Sequence, residues 1–151
     1  MVETHVLHGG CHCGNFRFQY STPQPPDQIP ARVCGCTFCT RIGGCYTSHP
    51  RASLSLTIRD RKASRTYRFG TRTADFYQCG LCGNTPFVAA SIDGRLYAVL
   101  NVNMIEDISL SSWQTAPADF SGESLDSRTD RRRKSWIPKV HIAYLSEAGP
   151  K

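Results

Sequence analysis

The sequence contains no long apolar run and no hydrophobic segment near its N-terminus. No stretch of apolar residues approaches the roughly 20 that are needed to span a bilayer, which argues against a membrane-spanning helix. The first ten residues include Glu3, His5 and His8 and lack the apolar core of a secretory signal. We therefore expect a cytoplasmic protein without a membrane partner, whose thiols stay reduced.

Internal repeats and long helical patterns are also missing from the chain. Apolar residues at helical spacing never extend beyond about two turns, which argues against a helical bundle. Short alternating runs, separated by turns that contain glycine and proline, instead predict an all-β, antiparallel fold with short helical turns. With 151 residues and a hydrophobic content of 40%, the chain fits a single domain over residues 1–151.

The clearest turn signal lies in the second half of the strand-rich region. Asp93-Gly94 favours a two-residue hairpin turn and predicts strands at Thr85–Ser91 and Leu96–Leu100. Four prolines mark Ser21–Pro30 as a loop, which leads into a cluster of cysteines. We expect the strands around these turns to form an antiparallel meander.

The strand pattern weakens toward the C-terminus. Residues 106–151 are expected to form an irregular C-terminal extension, within which Trp136–Leu145 adds an edge strand. The basic run Arg131–Lys134 has no interleaved aromatic residues and lies beside aspartates, so a solvated loop is favoured over a nucleic-acid site. Contact with an anionic substrate or partner is the alternative.

Eight cysteines dominate the chemistry of the sequence. In a reducing compartment they indicate metal ligands rather than disulfides. Seven of them fall in three short motifs, and the eighth is Cys45. The motifs are Cys11-His12-Cys13, Cys34-Gly35-Cys36-Thr37-Phe38-Cys39 and Cys79-Gly80-Leu81-Cys82.

The first and third motifs fit a closed structural zinc site. Cys11 and Cys13 would form one half of it, and Cys79 and Cys82 the other, as two turns from distant segments usually do. Such a zinc contributes on the order of 10 kcal/mol to the stability of a small domain. In the alternative arrangement, Cys34, Cys36 and Cys39 take part in this site, and the cysteine pairs that bind the metal are reshuffled.

The second motif leaves a metal one ligand short. Thiolates from Cys34, Cys36 and Cys39 would leave one position on Zn²⁺ for water or substrate, which is typical of a catalytic site. We therefore predict two zinc ions per chain, with the inner one catalytic and sometimes only partly occupied. In the alternative, Cys45 or a histidine completes a second structural site.

The net charge does not favour a nucleic-acid partner. The formal charge is +6. It would fall to about +3 if four thiolates bound one Zn²⁺ and three bound another. A protein that is only mildly basic has no strong electrostatic reason to bind nucleic acid, and none is predicted as a partner.

A few other side chains are candidates for the site. Arg41 follows the second motif closely and is predicted to bind a substrate carboxylate through a bidentate contact, a fold-bracing role being the alternative. His12 is expected to be exposed or to pack against its turn, whereas His49 and His141 are candidates for proton transfer. Cys45 is expected to be a packed spare thiol.

The order of the three motifs resembles the family of glutathione-dependent formaldehyde-activating enzymes, whose domain is shared with centromere protein V. The similarity covers residues 6–105, with Gly35 standing where the family often has histidine. It implies an all-β, zinc-pinned, tent-like fold. It also implies the same division of ligands, in which the outer four cysteines are structural and the inner three surround the catalytic metal.

The resemblance implies an activity as well. The family's founding reaction joins formaldehyde to the thiol of glutathione, which is a carbon–sulfur lyase reaction run in reverse. We therefore predict a zinc-dependent carbon–sulfur lyase whose partner is a small thiol such as glutathione, its adduct or a thioether. The rival hypothesis is a zinc-stabilised binding module without catalysis, in which both metals are structural.

Overall fold

The structure is a computed structural model that describes residues 3–108 and 114–146. Within these residues the chain is mostly β, and none of its helices is long and apolar enough to cross a membrane. The strands are β1 (His5–Gly10), β2 (Phe16–Thr22), β3 (Pro30–Cys34), β4 (Cys45–Thr47), β5 (Ser53–Asp60), β6 (Ser64–Tyr67), β7 (Asp75–Cys79), β8 (Phe87–Ile92), β9 (Arg95–Asn101), β10 (Gln114–Ala118) and β11 (Lys139–Ser146). The α-helices are α1 (Thr37–Ile42) and α2 (Leu125–Ser135). The prediction of a single all-β domain with short helices is confirmed.

The strands form two sheets that share one core. The first has the order β1-β2-β5-β11, and the second has the order β10-β3-β4-β9-β8-β7-β6. Phe16 of the first sheet and Phe87 of the second are fully buried, with ring centroids 6.4 Å apart. Leu56 and Leu100 are fully buried in the same core. Burial of these apolar side chains between the sheets is the main force that holds the layers together.

Most strand pairings are antiparallel, as predicted, but two that the sequence did not predict are parallel. β10 runs parallel to β3, and β11 runs parallel to β5. Each pair joins segments that are far apart in the sequence, so no hairpin turn records the direction of the pairing. β11 is the edge strand that was predicted for Trp136–Leu145.

The predicted hairpin is confirmed. β8 and β9 pair antiparallel along their length, with Ile92 opposite Arg95. Asp93 has a φ of 52° and Gly94 a φ of 79°. Two successive residues with positive φ are what a type I′ turn requires, and this turn matches the twist of the flanking strands.

The C-terminal extension is more regular than the sequence analysis predicted. Where it is described, it contains β10, the eleven-residue helix α2 and β11. Residues 109–113 and 147–151 of the extension lie outside the described residues. The expectation of a solvated loop at Arg131–Lys134 is wrong, because these residues form the last turns of α2 and Arg132 is buried.

Helix α2 begins and ends with favourable local interactions. The Ser124 hydroxyl accepts a hydrogen bond from the amide of Ser127 at 3.1 Å, which caps the N-terminus. Asp126 lies in the first turn, and the cationic residues lie in the last turn. This charge order is favourable in the field of the helix dipole. Capping and charge, rather than an apolar stripe, therefore define the helix.

Candidate metal centres and the adjoining cavity

Four cysteines meet where the two sheets come together. Cys11 and Cys13 lie in the turn between β1 and β2, whereas Cys79 and Cys82 lie at the end of β7 and in the turn that follows it. All four Sγ atoms lie within 4.8 Å of one another. The Sγ atom of Cys13 is 3.7 Å from that of Cys11 and 3.5 Å from that of Cys79.

These distances fit a tetrahedral zinc site. Zinc–sulfur bonds of about 2.3 Å in a tetrahedron place neighbouring sulfurs about 3.8 Å apart. The two turns are also tied to each other directly, because the His12 amide donates to Asn84 Oδ1 at 2.7 Å. A metal held here would join one sheet to the other, and we refer to these four residues as the outer group.

The protonation of the outer group favours metal binding. Burial raises the pKa of the Cys82 thiol, but hydrogen bonds from the backbone amides of Asn84 and Cys13 outweigh it and lower the pKa to about 6. Burial raises the pKa of Cys11 to about 12. Without a metal, the group would therefore hold both a thiolate and a firmly bound proton at neutral pH. A divalent cation displaces such protons as it binds.

The remaining three motif cysteines form an inner group at the start of α1. Cys34 ends β3, Cys36 caps the helix, and Cys39 lies in its first turn. The Cys36 Sγ atom accepts a hydrogen bond from the Cys39 amide at 3.3 Å. The three Sγ atoms lie within 4.8 Å of one another and are separate from the outer group. The structure thus brings together the same two sets of cysteines that the sequence predicted.

The inner group already contains one stable thiolate. A hydrogen bond from the Cys39 thiol, opposed by burial, lowers the pKa of Cys34 to about 5. The same hydrogen bond, together with burial, raises the pKa of Cys39. Cys34 is therefore ionised at neutral pH while Cys39 keeps its proton until a cation replaces it.

Neither Cys45 nor a histidine of the described residues supplies the fourth ligand that the alternative hypothesis required. Cys45 is buried in the main core, where burial raises its pKa, and it belongs to neither group of convergent sulfurs. No histidine among residues 3–108 and 114–146 joins the inner group. His12 is exposed on its turn, and the His49 Nδ1 atom accepts a hydrogen bond from the Arg51 amide. The inner group therefore offers three ligands.

A cavity of about 680 Å³ adjoins the inner group. Cys34, Cys36 and Cys39 line one part of it. β10 closes another part, since its parallel pairing with β3 lets the Gly35 amide donate to the Ala118 carbonyl at 3.0 Å. An aromatic wall and a cationic wall form two further parts of the lining, which also includes Asp119 and Phe120. The aromatic wall consists of Phe69, Phe76 and Trp136, and the cationic wall consists of Arg32, Arg128, Arg131 and Arg132.

Arg41 does not line this cavity. Its guanidinium donates to the Thr37 carbonyl at 2.7 Å on the exposed side of α1. Its predicted contact with a substrate carboxylate therefore stays a prediction without geometric support. The arginines of α2 were missed, although Arg128, Arg131 and Arg132 follow the i, i+3, i+4 spacing that places side chains on one face of a helix.

The buried Tyr46 hydroxyl supports the inner group from behind. It lies 3.3 Å from Cys39 Sγ. The site is tightly packed there, because a Cβ atom added at Gly44 would lie 2.7 Å from this hydroxyl and 3.0 Å from the Cys39 Cβ atom. A hydroxyl that donates to a thiolate favours the ionised form that binds metal.

We expect Tyr46→Phe to weaken metal binding at the inner group by about 10- to 100-fold, the usual effect of removing a hydrogen bond to a ligand. The substitution keeps the ring and removes only the donor to Cys39. Competition with a zinc chelator would measure the affinity. Tyr97→Phe, at another buried tyrosine of the same apolar cluster, is the matched control. Equal zinc affinities in Tyr46→Phe and the wild type would contradict the role of the hydroxyl.

Comparison with known proteins agrees with the geometry. The family model described as glutathione-dependent formaldehyde-activating enzyme matches residues 6–120. A crystal structure of a Rhodobacter sphaeroides protein is also similar, with 24% sequence identity and a TM-score of 0.52. The alignment covers 74% of this chain and 98% of that chain, and it supports the fold alone. Helix α2 and strand β11 lie beyond the residues that the family model matches.

Proposed function

This chain belongs to the family of glutathione-dependent formaldehyde-activating enzymes, and on that premise we propose that it is a zinc-dependent enzyme that forms or breaks a carbon–sulfur bond in a thiol adduct. The observation that carries the proposal is the contrast between the two cysteine groups. The outer group offers four sulfurs, enough to close a zinc site, whereas the inner group offers three beside a cavity. A site with a free position suits chemistry rather than structure alone.

The proposed reaction is the addition of a thiol to an aldehyde, or its reverse. A bond forms between the thiol sulfur and the carbonyl carbon. The π electrons of the carbonyl move to its oxygen, which takes up the proton that the thiol releases. A zinc ion bound by the inner group would supply a Lewis acid and a site for a thiolate sulfur.

The chain's own residues would prepare this reaction. Cys34, Cys36 and Cys39 would hold the metal, and Tyr46 would keep Cys39 oriented through its hydroxyl. The aromatic wall excludes water from one side of the cavity, which strengthens electrostatic interactions inside it. The cytosol is the natural setting, because its glutathione pool keeps cysteines reduced and supplies a thiol.

The proposal is tested by following adduct formation between thiols and aldehydes by NMR. The panel would pair glutathione and simpler thiols with formaldehyde and larger aldehydes. We expect the zinc-loaded protein to accelerate at least one pair by about 100-fold or more over the spontaneous rate. Cys45→Ser, a cysteine change outside both groups, should keep that rate within about twofold.

Two outcomes would count against the enzyme. One is the absence of acceleration across the whole panel by protein that contains two zinc ions per chain. The other is an acceleration that survives when zinc is removed and the protein remains folded. The first result would favour the rival hypothesis of a zinc-stabilised binding module, whereas the second would show that the catalysis does not depend on zinc.

A further inference from the structure

The cationic wall of the cavity contains a buried arginine without an acidic partner. Arg132 is only 7% exposed. One of its terminal nitrogens donates to Thr73, at 2.8 Å to the hydroxyl and 3.3 Å to the carbonyl. Its Nε atom is buried without a hydrogen-bond partner. In the part of the chain that the structure describes, no carboxylate forms an ion pair with it.

The other arginines of the cationic wall are also poorly neutralised, because Arg128 and Arg131 lie beside the same carboxylate, that of Glu123. Arg131 binds Glu123 through two hydrogen bonds of 2.9 and 3.1 Å, and the Arg128 Nε atom lies 3.9 Å from the same carboxylate. Arg32 donates to the Ser48 hydroxyl at 2.9 Å. The cavity lining also contains Asp119, so the four guanidinium groups have two carboxylates among their neighbours and an excess of positive charge remains. Buried charges in proteins are usually paired, so the excess points to an anion that binds from outside.

The thiolates of the inner group do not neutralise this excess of positive charge at Arg132. The positive charge of Arg131 helps to lower the pKa of Cys34, so that arginine does act on the thiolates. Arg132 responds to other neighbours: burial, together with the charges of Arg128 and Arg131, lowers its pKa to about 10. The negative charge that raises the pKa of Arg132 is that of Glu123 rather than that of a cysteine. Arg132 is thus a buried member of the wall whose charge no ion pair among the described residues balances.

Another part of the cavity lining is apolar. Phe69 and Phe76 line it, with ring centroids 5.1 Å apart. Phe38 packs behind both rings, at 5.6 Å from Phe69 and 4.9 Å from Phe76. Aromatic rings held together in this way present a rigid surface to an apolar or aromatic group. A molecule that fills the cavity would meet sulfur, aromatic rings and guanidinium groups together.

We infer that Arg128, Arg131 and Arg132 of α2 form a carboxylate-binding subsite, and that the preferred substrate is an anionic thiol or thiol adduct with an apolar body. The carboxylate would lie against the arginines and the apolar body against Phe69 and Phe76. The identity of the ligand as a thiol rests on the proposed function, whereas the binding of an anion does not. The subsite lies on the helix beyond residues 6–120, the segment that the family model matches.

A pair of probes separates charge from shape. The compounds meta-mercaptobenzoate and meta-mercaptobenzamide have the same ring and thiol and differ in a single negative charge. Their dissociation constants would be measured by titration calorimetry on the full-length, zinc-loaded protein. We expect the carboxylate to bind at least about tenfold more tightly than the amide, as charge-assisted contacts to arginine would require.

Variants then locate the subsite. Arg132→Gln is expected to bring the ratio of the two dissociation constants close to one, and Arg132→Lys should retain part of it. Arg133→Gln is the matched control, because Arg133 lies on the same helix but outside the cavity lining and pairs with Asp93 and Asp130. Circular dichroism would confirm that each variant is folded, and Arg128→Gln replaces Arg132→Gln if that variant is not.

The outcomes distinguish this inference from the proposed function. Equal binding of acid and amide to the wild type would overturn the subsite. So would a preference that survives Arg132→Gln and Arg128→Gln, or one that is lost in Arg41→Gln instead. Preference for the acid without any turnover would count against the enzyme alone. Turnover without preference for an anion would count against the subsite alone.

Discussion

Replacing Cys13 with serine is expected to leave much of the protein unfolded at room temperature, although Cys13 is exposed. Its Sγ atom lies beside those of Cys11 and Cys79, so the substitution removes one of four ligands from the outer group. A structural zinc contributes on the order of 10 kcal/mol in small domains. Because a typical domain is stable by only about 5–15 kcal/mol, losing much of that contribution is enough to unfold it.

The position of the outer group explains why one exposed residue has this effect. Cys11 and Cys13 belong to the β1–β2 turn of the four-stranded sheet, and Cys79 and Cys82 belong to the seven-stranded sheet. A metal bound by all four therefore constrains both sheets. Without it, the layers would be held together mainly by the apolar core, with a few hydrogen bonds such as that from the His12 amide to Asn84.

Cys45→Ser provides the comparison. Cys45 is buried, so a serine there places a hydroxyl in the core and should lower the free energy of unfolding by about 1–3 kcal/mol. Denaturant unfolding and zinc content would be measured for both variants. A larger loss at the exposed Cys13 than at the buried Cys45 is what a ligand role requires. Retention of zinc and near wild-type stability in Cys13→Ser would contradict that role.

The sequence could predict which cysteines meet because the spacing of metal ligands is a local property. Cys79-x-x-Cys82 and Cys11-x-Cys13 each fit within one turn, and only their mutual pairing is long-range. The inner group was predictable for the same reason, since Cys34 to Cys39 spans six residues. The Asp93-Gly94 hairpin was found because its positive φ angles leave a direct signature in residue type.

Helix α2 could not be found from apolar periodicity. Its only strongly apolar residue is Leu125, which is 54% exposed, while the residue it buries is Arg132. The useful signals were the capping Ser124 and the change from acidic to basic residues along the segment. These signals outweigh a missing apolar stripe only when both ends of the helix are considered together.

The composition of the cavity depends on elements that meet only in the folded chain. β10 reaches the inner group through a parallel pairing with β3, and α2 follows β10 in sequence. The local pattern around the cysteines therefore pointed to Arg41, which follows Cys39 by two residues. Three of the four arginines that line the cavity belong to α2, about ninety residues further along, and sequence distance alone gives no reason to associate them with the site. The fourth, Arg32, lies two residues before Cys34 and was not singled out by its spacing.

Replacing Cys36 with serine is expected to reduce turnover by at least about 100-fold while leaving the fold intact. Cys36 is the N-cap of α1, where its Sγ atom accepts a hydrogen bond from the Cys39 amide. A serine hydroxyl is a good acceptor at this position, so the helix should keep its cap. The substitution thus removes one metal ligand from the inner group and little else.

Zinc content, unfolding free energy and turnover would be measured together for Cys36→Ser and compared with Cys13→Ser. We expect bound zinc to fall from about two ions per chain toward one, since two thiolates hold zinc poorly. Stability should change by about 1 kcal/mol or less, in contrast to Cys13→Ser. Full turnover in Cys36→Ser would show that the inner group is not the reaction site. A loss of stability as large as that of Cys13→Ser would instead identify both groups as structural, because an open catalytic site contributes much less to folding than a closed one.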